Sequence, residues 1–299
     1  MSATELAASQ AAPPAVDTVT ELARLRAELD RLDDVMHDTL MQRAAVVGGV
    51  AALGAQGKVA FRPGREADIL RRLFARHHGA LPPRLLVRLW REIFAATTAM
   101  QGPYIITVCE TAPAGSPFVQ CAREHFGALT PLRVHRSPSQ AIAEVSAGRA
   151  TAAVLPMPDE QESQAQAWWL ALLHRDEPRI HIVARLPFWA PRSEGAPQVQ
   201  ALVVAAASPD ASSRDRTLIG LELPLEMSRA RLSTAVAASG LTPGDTILRR
   251  DGGAERAHAL VEVEGYVTEG DARLAGIAEL LRPPVVLGAY AVPAEGESP

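Results

Sequence analysis

The polar residues that could do chemistry in this chain stand where a helical pattern calls for apolar ones. Arg43 falls seven residues after Met36 and four before Val47, on an otherwise apolar line. A guanidinium buried there without a partner is expensive, so it must meet a carboxylate or an anionic ligand. Thr97 and Gln101 follow Ile93 at i+4 and i+8, on the helix face that should turn inward. Arg65 and Glu66 open a further helix; Glu66 suits its positive end, and Arg65 fits there if an anion also binds. Taken singly, each is more often an ion pair, a snorkelling side chain or an ordinary buried polar group. Together they suit a small dicarboxylate, because arginine grips carboxylates with two parallel hydrogen bonds. Arg26 lies seventeen residues before Arg43, about 25 Å along the same helix. One small ligand cannot touch both within one chain. Arg26 is either a surface charge or a group that reaches the site of a neighbouring subunit.

The elements that must position these residues are helices. Of the 23 prolines, only Pro13, Pro14, Pro63, Pro82 and Pro83 precede residue 100. Pro63 and Pro82 or Pro83 fit the first turns of new helices, where a missing N–H costs nothing. Three helices are therefore expected between Thr18 and Gln101, after a disordered lead-in at 1–17. Leu22, Leu25, Leu29, Leu32, Met36, Leu40, Val47 and Val50 form a seam along the first helix. Three helices of this size cannot cover so long a seam in one chain, so an intertwined dimer is expected.

The 299 residues carry a net charge of −4, which leaves no global basic field for nucleic acid. Lys58 is the only lysine among 30 basic residues. Cys109 and Cys121 have neither CxxC spacing nor a set of histidines beside them, so no metal and no disulfide are expected. No apolar run is long enough to cross a bilayer, and the first residues lack the charge pattern of a secretory signal. The expectation is a cytoplasmic protein without membrane contact.

From Tyr104 the pattern changes to short apolar runs alternating with helical stretches. Strands at Ile105–Val108, Leu132–Val134 and Ala152–Leu155, with helices at Phe118–Phe126 and Ser139–Ala147 between them, imply a parallel sheet. Trp168–Leu173, Ile180–Arg185 and Ala201–Ala206 are expected to extend it, with loops at 187–197 and 208–213. The last part reads βαββαβ, a ferredoxin-like unit. The fold class is thus multidomain: an all-α three-helix domain (18–102), an α/β lobe (103–208) and a ferredoxin-like α+β domain (214–293).

Leu25-Arg26-Ala27-Glu28-Leu29-Asp30-Arg31-Leu32-Asp33, Arg43, Phe61-Arg62-Pro63-Gly64-Arg65-Glu66, Leu89-Trp90-Arg91-Glu92-Ile93 and Gln101 together resemble the all-helical chorismate mutases. That family is an intertwined helical dimer that rearranges chorismate to prephenate without a cofactor. The resemblance implies that Arg43 and Arg65 hold substrate carboxylate and neighbouring polar groups, and that Arg26 reaches in from the other subunit. It implies Glu66 on the ring hydroxyl, Thr97 at a position often held by a small hydroxyl residue, and Gln101 on the breaking ether oxygen. Where the family places a further catalytic lysine this chain has Gly54, and Lys58, four residues on, is the candidate replacement.

The remainder resembles prephenate dehydratase more weakly. Ala114-Gly115-Ser116-Pro117-Phe118 and Ala150–Pro156 look like parts of its first lobe, and 214–292 looks like its ACT domain, with Gly265 and Leu287-Gly288-Ala289-Tyr290. The dehydratase Thr-Arg-Phe motif is absent, with Gln200-Ala201-Leu202-Val203 in its place. Leu248-Arg249-Arg250-Asp251 replaces the phenylalanine-binding Glu-Ser-Arg-Pro. This implies a mutase whose C-terminal half is a relic kept for regulation or assembly, with an aromatic amino acid as candidate effector. The alternatives are a bifunctional mutase and dehydratase, or a non-catalytic regulator that senses an aromatic amino acid.

Overall fold

The computed structural model describes residues 18–53, 61–111, 114–190 and 195–295. The expected lead-in, Gly54, Gly57 and Lys58 lie outside the described residues. Two compact units divide the chain, 1–54 and 55–299.

The described part of the first unit holds one helix, α1 (Thr18–Ala52), of 35 residues and with no buried residue. At 1.5 Å per residue it spans about 50 Å. Leu22, Leu25, Leu29, Leu32, Met36, Leu40 and Val50 are all exposed along it. Ion pairs of Arg24 with Glu21 and of Arg31 with Glu28, each one turn apart, support the helix locally.

The second unit begins with α2 (Pro63–Arg76) and α3 (Pro83–Ala99), each with proline in its first turn. Their apolar faces share cores with the strands that follow. Ala67, Leu70 and Phe94 pack with Phe188 and Ala291, and Phe61 and Ala95 pack with Ile106 and Phe126. The boundary between compact units, after Gly54, therefore falls inside the stretch 18–102.

Strands β1 (Ile106–Cys109), β2 (Leu132–His135) and β3 (Ala152–Pro156) pair in parallel, linked by α4 (Pro117–Phe126) and α5 (Pro138–Ser146). Strands β4 (His181–Leu186) and β6 (Ala201–Ala205) follow, β6 antiparallel to both β3 and β4. A two-strand ribbon joins β5 (Trp189–Ala190) to β11 (Ala294–Glu295).

One expected strand is a correction. Trp168–His174 is a 3₁₀ helix. A strand would point Trp168 and Trp169 to opposite faces, yet both are buried in one core. Each indole N–H also has a local acceptor, Trp168 on the Pro156 carbonyl and Trp169 on Glu162.

The last part is β7 (Asp215–Leu223), α6 (Arg229–Ala238), β8 (Pro243–Arg249), β9 (Ala257–Glu264), α7 (Ala272–Ala275) and β10 (Val285–Ala291). Its strand order β10-β7-β9-β8 is that of the ferredoxin-like unit. This unit is continuous with the α/β part in one sheet of nine strands, ordered β2-β1-β3-β6-β4-β10-β7-β9-β8. The join is β10 against β4 at Gly288 and Ile182. Gly288 has φ of +146°, and a Cβ there would collide with the Ile182 backbone, so the join requires glycine.

Candidate functional site

Arg62-Pro63-Gly64-Arg65-Glu66 turns the chain into α2. Pro63 sets the first helical φ, and the free amides of the first turn face outward along the axis. An anion does sit at this helix end, and it belongs to the chain itself. Asp210 accepts from the backbone N–H of Gly64 and of Arg65, each at 3.0 Å. The Arg62 guanidinium lies 3.4 Å from the same carboxylate. Gly64 is needed for this approach, because a Cβ would strike the Asp210 carbonyl.

Glu66 points inward and is buried. Arg91 of α3 donates Nη1–H to its Oε2 at 2.7 Å, and Arg91 is only 3% exposed. Burial raises the Glu66 carboxyl to about 7; the Asp210 charge adds to the rise and Arg91 opposes it. Burial likewise lowers Arg91 against the pull of Glu66. The carboxyl is therefore raised toward the neutral range although a guanidinium bonds it. Such a group can both accept and donate a hydrogen bond to a hydroxyl. The Arg91 guanidinium also stacks over the Phe188 ring, 5.0 Å from its centre.

The other expected residues are placed less uniformly. The Arg65 side chain is exposed, while its backbone serves the Asp210 contact. Thr97 is half-buried and bonds back to the Ile93 carbonyl at 2.7 Å. Gln101 donates Nε2–H to the Thr97 carbonyl at 3.0 Å. Both thus use the carbonyls of α3 and its end. On α1, Arg26 is exposed and Arg43 half-buried.

Sequence reasoning gave no role to two residues that shape this site. Arg91 lies three and four residues before Phe94 and Ala95, so the spacing that marks the buried face of α3 also marks Arg91. Asp210 lies in a Pro/Ser stretch that reads as linker, and nothing local announces its role as a cap.

Farther along, Glu110 accepts from the backbone N–H of Phe118 and Val119, holding the start of α4 beside Gly115-Ser116. Gln200 accepts from Arg185 at 2.9 Å. Gln200 and Arg185 border a cavity of about 1000 Å³ that also includes Phe118, Arg229 and Thr246. Arg249 bonds to the Glu162 carbonyl and to Asp251. Among the described residues no group of three His, Cys, Asp or Glu is placed to hold a metal ion. No described helix is long and apolar enough to cross a membrane.

Residues 25–102 match the sequence model of the family described as chorismate mutase type II. A curated relative, a bifunctional chorismate mutase/prephenate dehydratase of Stutzerimonas stutzeri, is 28% identical over 174 residues, covering 54% of this chain and 47% of the relative. The chain thus spans about half the length of that relative. A solved structure described as GqqA, a novel type of quorum-quenching acylase, overlaps 64% of this chain and 96% of its own at 15% identity, with a TM-score of 0.47. The prephenate dehydratase of Streptococcus mutans overlaps 64% of this chain and all of its own at 16% identity, with a TM-score of 0.45.

Proposed function

We propose that this chain is a chorismate mutase. It converts chorismate to prephenate by an intramolecular Claisen rearrangement, in which the ether C–O bond breaks as a new C–C bond forms. No atom leaves and no cofactor takes part. The observation that carries this reading is the family match over 25–102, which contains Arg26, Arg43, Arg65, Glu66, Thr97 and Gln101 together.

In this reading the substrate is a flexible dianion, and the task is to fold it into a reactive pose. Arg43 and Arg65 hold carboxylate and nearby polar groups, and Arg26 arrives from a second subunit. Glu66 binds the ring hydroxyl; its raised carboxyl lets it serve that hydroxyl as donor or acceptor around neutral pH. Thr97 lines the pocket. Gln101 and Lys58 place N–H donors at the ether oxygen, where charge develops. Restraint and preorganised donors of this kind lower the barrier without acid–base chemistry. For this, Thr97 and Gln101 must exchange their contacts with helix carbonyls for contacts with substrate.

The uncovered apolar seam of α1 supports an intertwined dimer, since so many exposed leucines on one helix need a covering surface. The C-terminal half is regulatory or architectural in this reading, with an aromatic amino acid as its effector, and the protein works in the cytoplasm. Gly54 at the usual lysine position favours a second reading, a non-catalytic regulator. Incubation of the purified chain with chorismate, with products separated, tests these possibilities. Prephenate alone supports the proposal. Phenylpyruvate would instead make the chain bifunctional, and no turnover would leave the regulator.

A further inference from the structure

A cavity of about 530 Å³ opens between α3, α4 and the stretch Pro187–Trp189, and none of the seven candidate substrate residues lines it. Its rim carries Arg84 and Arg88, one turn apart on α3 and exposed. Neither makes a hydrogen bond or ion pair among the described residues. The other polar groups of the wall, Glu124 among them, are differently placed. Arg123 donates to the Ala128 and Thr130 carbonyls. Glu92 accepts from the Ala128 N–H at 3.0 Å, and Arg91 is held by Glu66. Leu85, Val87, Cys121 and Phe188 supply an apolar lining.

His125 also lines the cavity, is only 8% exposed, and its Nε2 has no hydrogen-bond partner among the described residues. Burial, and then the Arg91 charge, hold the imidazole well below its ordinary pKa, so it is neutral. Two unpaired guanidinia at the mouth and apolar walls within make a site for an anion with a compact apolar body.

We propose that this cavity binds a small aryl carboxylate, its carboxylate held by Arg84 and Arg88 and its ring against Leu85, Val87 and Phe188. This site is separate from the proposed mutase site and touches it through Arg91, which bonds Glu66.

Titration calorimetry of the full chain with 4-hydroxyphenylacetate tests this. Binding is expected in the native chain and in Arg43→Ala, and weakened about tenfold or more in the doubly substituted Arg84→Gln/Arg88→Gln chain. Those arginines are exposed, so the fold should survive, and an unchanged melting temperature without ligand checks it. The uncharged 4-hydroxyphenylacetamide should bind correspondingly weakly. Absence of binding at millimolar ligand would overturn the proposal. So would equal binding by the double variant, and so would loss of binding in Arg43→Ala, which would place the ligand in the mutase site instead.

Discussion

Arg91 and Glu66 form a buried ion pair across α2 and α3, Nη1 to Oε2 at 2.7 Å, in the middle of the segment that carries the family match. It ties the residue expected on the substrate hydroxyl to a guanidinium that itself stacks on Phe188. Breaking a buried pair by removing one partner costs about 3–5 kcal/mol, because the remaining charge stays buried. Arg91→Leu should destabilise the chain by that order in denaturant unfolding. The loss should be smaller at pH 5 than at pH 8, since Glu66 can then take a proton. An equal loss at both values would show that Glu66 is not the group left uncompensated.

Glu66 also sets a pH dependence with a definite sign. Its carboxyl is raised from 4.5 to about 7 in the folded chain. Between those values the folded state holds more protons than the unfolded one, so its contribution to stability is present at low pH and falls as pH rises through this window. Glu66→Gln should remove that fall. Melting temperatures of both proteins across the window would check it: the native curve should decline more steeply than that of the variant.

The Asp210 cap is a second point of attachment for α2. Asp210→Ala frees the Gly64 and Arg65 amides and should cost about 1 kcal/mol, within the range of helix-cap losses. Asp210→Asn keeps an acceptor and should cost less. Hydrogen exchange at Gly64 and Arg65 reads the effect locally, and unchanged protection in Asp210→Ala would show that the cap does not hold this helix end.

Much of this architecture is legible in the sequence where the signal is local. Proline at the starts of α2 and α3, the βαβαβ alternation after Tyr104 and the ferredoxin-like order of the last strands are all set by neighbouring residues. What long-range packing decides is not legible in this way. Trp168–Leu173 has the composition of a buried strand, and only the shared core of both tryptophans makes it a 3₁₀ helix. The continuous sheet depends on Gly288 meeting Ile182, far apart in the chain. In the candidate site, Glu66 and the helix-end anion follow from charge placement, but the identity of that anion, Asp210, is a distant contact. Arg91 was open to the same periodicity argument as Arg43 and became visible once its burial was known.

If the seam of α1 covers a second copy and Arg26 crosses to the neighbouring site, two inactive variants should rescue each other. Arg26→Ala and Arg43→Ala chains, unfolded and refolded together, form mixed dimers in which one site has both arginines intact. About a quarter of native turnover should return from an equal mixture with random pairing. Turnover no higher than that of the separate variants would exclude a shared site. Leu29→Asp in the same seam should shift the mass in light scattering from dimer toward monomer.

Lys58 is the only lysine and so the only candidate for the missing ammonium group. Loss of one preorganised donor at a developing oxyanion costs on the order of 10²-fold in turnover. Lys58→Ala should lower kcat by about that factor while Lys58→Arg keeps part of it. An unchanged kcat in Lys58→Ala would leave Gln101 and the arginines to act alone.

Prephenate formation by the full chain tests whether residues 18–102 rearrange chorismate. The native chain should form prephenate, and Arg43→Ala should reduce its rate by two orders of magnitude or more. A native rate no greater than that of Arg43→Ala, or than the spontaneous reaction, would contradict it.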